Sequence, residues 1–146
     1  MEIERKFLVK SLPDLKNVPA FHIVQGYISL EPETRIRKRD DKYFLTIKGE
    51  GDVVRSEEEK EVSEKEGKRL FAQVKSYLVK KKRYLINIGK HTAELDIYED
   101  RLKGLTVVEV EFDSLSEAEY FVPPEWFGED ISKNKEYRNK VLAFKP

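Results

Sequence analysis

The chain has 146 residues, a length that suits one domain built on one core. Hydrophobic residues make up 39% and charged residues 38%, the latter far above the usual quarter, yet Lys plus Arg equals Asp plus Glu at 28 each. That balance leaves no net field to draw nucleic acid or a membrane, so neither is expected as a partner, and the lack of Cys excludes disulfide and thiolate chemistry.

Period-two alternation rich in Ile, Val, Tyr, Phe and Thr predicts strands over 1–9, 22–30, 33–39, 42–49 and 54–62, with a hairpin turn at Asp40-Asp41. Ser63 with Glu66 fits a capping box that opens a helix carrying Leu70, Phe71 and Val74. Strands return at 79–88, 91–98 and 105–113, the first two joined by a turn near Gly89. Ser114 with Glu117 repeats the capping box, Pro123-Pro124 breaks the chain, and 134–144 is expected as a last short helix. No linker, repeat or low-complexity stretch divides residues 1–146, so a single domain is expected. Eight strands in hairpin order with late helices predict an α+β fold, mainly antiparallel β: a closed eight-stranded β-barrel with flanking helices, a sandwich being the alternative. The charged opening MEIERKF does not suit a signal peptide, and no apolar run approaches the roughly 18 residues of a membrane span, so a cytoplasmic location is expected.

Side chains at i, i+2 and i+4 of a strand share a face. Glu2, Glu4 and Lys6 therefore point one way, and Ile3, Arg5 and Phe7 the other. By the same rule Arg35 joins Arg37, Arg55 joins Glu57, Glu59 and Glu61, Lys81 joins Arg83, Glu94 joins Asp96, and Glu109 joins Glu111. Val108, Val110 and Phe112 give that last strand an apolar opposite face. One such pair alone is ordinarily a solvated surface. The recurrence argues otherwise, because like charges at i and i+2 stand roughly 7 Å apart and repel unless something of opposite sign lies between them. With these faces turned inward, a barrel would hold an anion-binding set and a cation-binding set together. A polyphosphate suits that combination: Arg and Lys take its oxygens, while carboxylates hold a divalent metal on the same phosphates.

At this point the residues resemble a known family, the triphosphate tunnel metalloenzymes or CYTH superfamily. EIERKFLV fits its ExExK signature at Glu2, Glu4 and Lys6. QGYISL at 25–30, TRIRKR at 34–39, YFLTIKGEG at 43–51 and RSEEE at 55–59 follow in the family's order. So do KKRY at 81–84, ELDIY at 94–98, VVEVEF at 107–112 and the tail FVPPEWFGEDISKNKEYRNKVLAF, which is similar to that of small bacterial triphosphatases. The tail departs from the family pattern at Asn134 and Glu136, while Lys135 and Asn139 fit it.

The resemblance implies a barrel lumen that hydrolyses inorganic triphosphate with Mg²⁺ or Mn²⁺. Lys6, Arg35, Arg37, Lys48, Arg55, Lys81 and Arg83 would grip the phosphates; Glu2, Glu4, Glu109 and Glu111 would hold metal. Glu94 and Asp96 would support a second metal, and Lys81, Glu57 and Glu59 would serve the attacking water. The chain offers no Cys, no phosphate-binding glycine loop and only two His, so metal-assisted attack by water is the expected chemistry rather than a covalent intermediate. Alternatives are a class IV adenylyl cyclase, a thiamine or nucleoside triphosphatase, and a non-catalytic polyphosphate-binding module. His22, His91, Trp126 and Phe127 read as structural residues, Glu61 as ambiguous, and a homodimer stays open.

Overall fold

The computed structural model describes residues 1–146 and contains ten strands, all paired antiparallel. They are β1 (Glu2–Val9), β2 (Ala20–Leu30), β3 (Glu33–Arg39), β4 (Lys42–Lys48), β5 (Val54–Arg55), β6 (Glu57–Val62), β7 (Val79–Ile88), β8 (His91–Tyr98), β9 (Thr106–Glu111) and β10 (Phe127–Asp130). Helix α1 covers Glu64–Phe71, α2 covers Leu115–Tyr120 and α3 covers Asn139–Leu142. Both capping boxes form: Ser63 Oγ accepts from the Glu66 N–H at 3.1 Å, and Ser114 Oγ from the Glu117 N–H at 3.1 Å. The mainly antiparallel α+β architecture is the expected one.

Three local expectations change. The strand expected over 54–62 is broken at Ser56, because the chain there changes partner: Glu2 and Ile3 of β1 pair with Arg55 and Val54, whereas Glu57 onward pairs with β4. Residues 134–144 form a 3₁₀ turn at Lys135–Tyr137 followed by the single turn of α3, not one helix. The four-residue β10, too short to show alternation, pairs with the far half of β1 through Phe7 and Val9.

The sheet order is β10-β1-β9-β8-β7-β2-β3-β4-β6, with β5 attached to β1. Strand β6 makes no ladder with β1; its short upstream neighbour β5 pairs with β1 through two residues, off the main path of the sheet. The outer face carries the main apolar cluster. Phe7, Leu95, Val108, Val110 and Phe112 pack there with Ala118 of α2 and Phe127 of β10, each buried. Burying such side chains contributes roughly 1.5–3 kcal/mol apiece. Arg5 lies on this face too, donating to Asp130 and to the carbonyl of Ala118 at 2.9 Å each, which ties β1 to β10 and α2. His91 stacks edge-on against Phe112 at 5.0 Å, and Trp126 against Phe127 at 4.5 Å; both serve packing.

On the inner face the same alternation produces polarity along most of each strand and an apolar end. Tyr27, Val79, Tyr98 and Val107 close that end, and Ile131, Leu142 and Ala143 of the C-terminal segment pack over them.

Candidate active site

The inner face encloses a cavity of about 190 Å³, and only two of its 20 lining residues are hydrophobic. Strand parity supplies the lining. Strand β1 contributes Glu2, Glu4 and Lys6, β3 Glu33, Arg35, Arg37 and Arg39, β4 Lys48, β5 Arg55, and β6 Glu57 and Glu59. Arg83 comes from β7, Glu94 from β8, Glu109 and Glu111 from β9, and Arg138, Asn139 and Lys140 from the tail. Thirteen residues singled out from the sequence thus meet in one place.

Two do not line it. Lys81 and Asp96 are fully buried behind the lining, with Lys81 Nζ 2.7 Å from Asp96 Oδ2. Asp96 also receives a two-point contact from Arg83, Nε at 2.7 Å and Nη2 at 2.9 Å. Burial opposes ionisation of Asp96, but Arg83 and Lys81 together hold its carboxyl down to about 2. Burial pushes the Lys81 ammonium down to about 7 against the pull of Asp96. The acid is thus a fixed counter-charge that occupies the Nε–Nη2 edge of Arg83, while Nη1 donates to Glu94 at 3.2 Å.

Most cavity cations already have an acid. Lys6 lies 3.4 Å from Glu109, Lys48 3.0 Å from Glu2 and 3.8 Å from Glu57, and Arg35 3.7 Å from Glu59. Arg55 reaches Glu33 at 2.7 Å, and Lys140 reaches the same carboxylate at 3.5 Å. Arg37 donates to Gln25 Oε1 at 2.8 Å and has no acid. Burial, with Arg35 and Arg83 nearby, pushes it down to about 9, which leaves it charged at neutral pH. Arg35 Nε and Gln25 Nε2 are buried donors without an acceptor. Buried donors are seldom left unpaired, so these invite an anion.

The carboxylates gather on the β1–β9 side. Glu4 pairs across the ladder with Glu111, and Lys6 with Glu109. Burial and the proximity of Glu109 and Glu2 raise the Glu4 carboxyl well above its ordinary value, and Glu4 hydrogen-bonds to Glu109. Glu109 moves the other way: burial opposes its ionisation, but Lys6 and the Glu4 hydrogen bond hold it well below. Burial, Glu2 and Glu94 raise Glu111. Crowded acids of this kind create a potential that a hard cation relieves.

Their chemistry fits a divalent ion, since all donors are carboxylate oxygens. No three acidic or His side chains converge into a ready cage. That suits an ion like Mg²⁺, which keeps water and uses one or two carboxylates together with substrate phosphates. A cation favours the ionised form of Glu4, the opposite of what burial and Glu109 do. Titration calorimetry in buffers of different ionisation enthalpy should therefore register proton release with Mg²⁺ or Mn²⁺, and affinity should fall as pH is lowered. Buffer-independent heats would contradict this.

Sequence reasoning missed Glu33, Arg39, Arg138 and Lys140. Glu33 and Arg39 share the parity of Arg35 and Arg37, so that signal was available; the tail residues follow no strand period. Glu61, opposite Phe44 on the β4–β6 ladder, does not line the cavity.

An antiparallel sheet around a cavity of opposed basic and carboxylate sets defines a polyanion-binding β protein able to take a metal. The chain belongs to the CYTH domain family, whose model matches residues 1–141. It is 38% identical over 146 residues to an inorganic triphosphatase of Nitrosomonas europaea, covering 97% of this chain and 96% of that protein. An inorganic triphosphatase of Acetivibrio thermocellus is 28% identical over 149 residues, covering 99% of this chain and 94% of the other. Among solved structures, one of an inorganic triphosphatase superposes with TM-score 0.75 at 36% identity, covering 100% of this chain and 96% of that one.

Proposed function

We propose that the chain hydrolyses inorganic triphosphate to pyrophosphate and phosphate, with Mg²⁺ or Mn²⁺, inside a tunnel formed by its sheet. The observation that carries this reading is the coexistence, in one cavity, of Arg35, whose buried Nε lacks an acceptor, and a wall of crowded carboxylates. The likeness to two inorganic triphosphatases supports the same substrate. The β5–β1 pairing supports closure of the eight-stranded barrel around the substrate, and the absence of any dividing stretch supports a single domain.

Lys6, Arg35, Arg37, Lys48, Arg55 and Arg83 bind and orient the phosphate chain, Arg through its planar fork. Lys6 and Lys48 exchange their acids for phosphate oxygens on binding. Glu2, Glu4, Glu109 and Glu111 would hold the metal, with Glu94 paired across the ladder from Glu109. A bound divalent ion neutralises phosphate charge and lowers the pKa of coordinated water. Glu57, which shares Lys48 with Glu2, and Glu59, beside Arg35, would orient the attacking water or take its proton. Asp96 fixes Arg83 and keeps Lys81 in place. A rigid site of this kind works mainly by positioning and charge stabilisation, as phosphoryl transfer requires. The Cys-free composition supports a cytoplasmic location, and no helix is long and apolar enough to cross a membrane.

Incubation with Mg²⁺ or Mn²⁺ and, separately, tripolyphosphate, ATP or thiamine triphosphate tests the reading. Phosphate released chiefly from tripolyphosphate is expected. Cyclic nucleotide from ATP, or binding without turnover, would replace it by a cyclase or a binding module.

A further inference from the structure

Strand β3 carries its inward series one step beyond the two arginines of the phosphate grip. Arg39 is the last residue of the strand, lies exposed at the cavity rim, and lines it. Its guanidinium carbon stands 5.2 Å from the Phe21 ring centre and 4.7 Å from that of Phe44. The two rings flank it from the neighbouring strands β2 and β4. Unlike most cavity cations, Arg39 has no carboxylate within 4.0 Å. Stacking occupies the flat faces of a guanidinium and leaves its in-plane N–H edge free to take an oxyanion.

We propose that Arg39 is an outer phosphate subsite, which takes the fourth phosphate of a linear polyphosphate whose first three lie in the inner grip. The proposal rests on the triphosphate reading above and extends its substrate class to chains of four or more phosphates. Arg35 to Arg39 spans roughly 13 Å at about 3.3 Å per residue, a longer track than the Arg35–Arg37 pair offers. A nucleoside at this position gains nothing comparable. The rings that would stack a base are covered by the guanidinium, and a neutral ribose gives that cation no partner. The plain alternative is that Arg39 only shields two aromatic rings from water, as long cationic side chains do. Met in its place would shield equally well.

Equilibrium binding of tripolyphosphate, tetrapolyphosphate and ATP, measured by calorimetry in EDTA on the full chain and on Arg39→Met, separates these. The unmodified chain is expected to prefer tetrapolyphosphate to tripolyphosphate by roughly tenfold, about the worth of a charge-assisted contact. Arg39→Met, and Arg39→Gln as a second uncharged variant, should bring that ratio to near one. The subsite is overturned if the unmodified chain shows no preference, if the preference survives both substitutions, or if ATP binds as tightly as tetrapolyphosphate. Phosphate release with Mg²⁺ on the same ligands keeps the two ideas apart. Binding without release defeats the hydrolase reading while the ratio still decides the subsite; release with no chain-length preference defeats the subsite alone.

Discussion

Glu4→Gln is expected to lower metal-dependent phosphate release from tripolyphosphate by about a hundredfold or more, a typical cost of removing a key electrostatic group. Glu4 stands at the centre of the acidic wall, hydrogen-bonded to Glu109 and close to Glu2. Gln keeps the shape and can still donate to Glu109, but it cannot give a cation a full negative charge. The fold should survive. A carboxyl whose pKa is raised on folding opposes stability once the pH exceeds its unfolded value, so its neutral isostere should melt at the same temperature or higher at neutral pH. Near-full turnover of Glu4→Gln in Mg²⁺ or Mn²⁺ would remove Glu4 from the metal-holding set. A collapsed fold would show that its role is structural.

Asp96→Ala should be the most destabilising single change in the site. It leaves Lys81 and Arg83 buried without their shared acid, a loss of about 3–5 kcal/mol by analogy with other broken buried pairs, or roughly 10 °C in melting temperature for a chain of this size. Adding Lys81→Met removes one stranded cation and should restore a large part of the loss, a coupling that a double-mutant cycle measures. The sign of the pH dependence follows from Lys81. Its folded pKa, near 7, lies below its unfolded value, so the folded chain sheds a proton first and stability rises as pH climbs between the two. Asp96 pulls that folded value up, so its loss lowers it further, and the Asp96→Ala deficit should shrink as pH rises toward 7 and stay level above it. A deficit that stays constant as pH rises toward 7, or is unrelieved by Lys81→Met, would mean that the cluster does not act as a charge-balanced unit.

The strand faces were legible because side-chain period two is fixed by backbone geometry. Glu2, Glu4 and Lys6, then Glu109 and Glu111, sort to the cavity while Phe7, Val108 and Val110 sort to the core, as alternation alone requires. Which acid meets which base was not legible. Arg55 meets Glu33 across 22 positions, and Lys140 reaches that same carboxylate, because strand register and a tail with no period decide the contact. Depth along a strand was hidden as well. Lys81 and Arg83 share a face, yet only Arg83 reaches the cavity, since the apolar end closed by Tyr98 and Val107 begins beside Lys81. The break at Ser56 was equally invisible, being a change of partner strand rather than of residue character.

The near balance of the cavity, nine Lys or Arg against eight Glu, has a further meaning. Without ligand, the interior resembles a solid ion exchanger whose fixed cations hold fixed acids as resident counter-ions. A metal–polyphosphate complex carries both signs, so its entry would be a double displacement, with phosphates taking the bases and the metal the freed acids, and the net charge inside would move less than with the bare polyanion. Occupancy should then respond weakly to bulk salt for a polyphosphate supplied with its metal, and strongly for the bare polyanion.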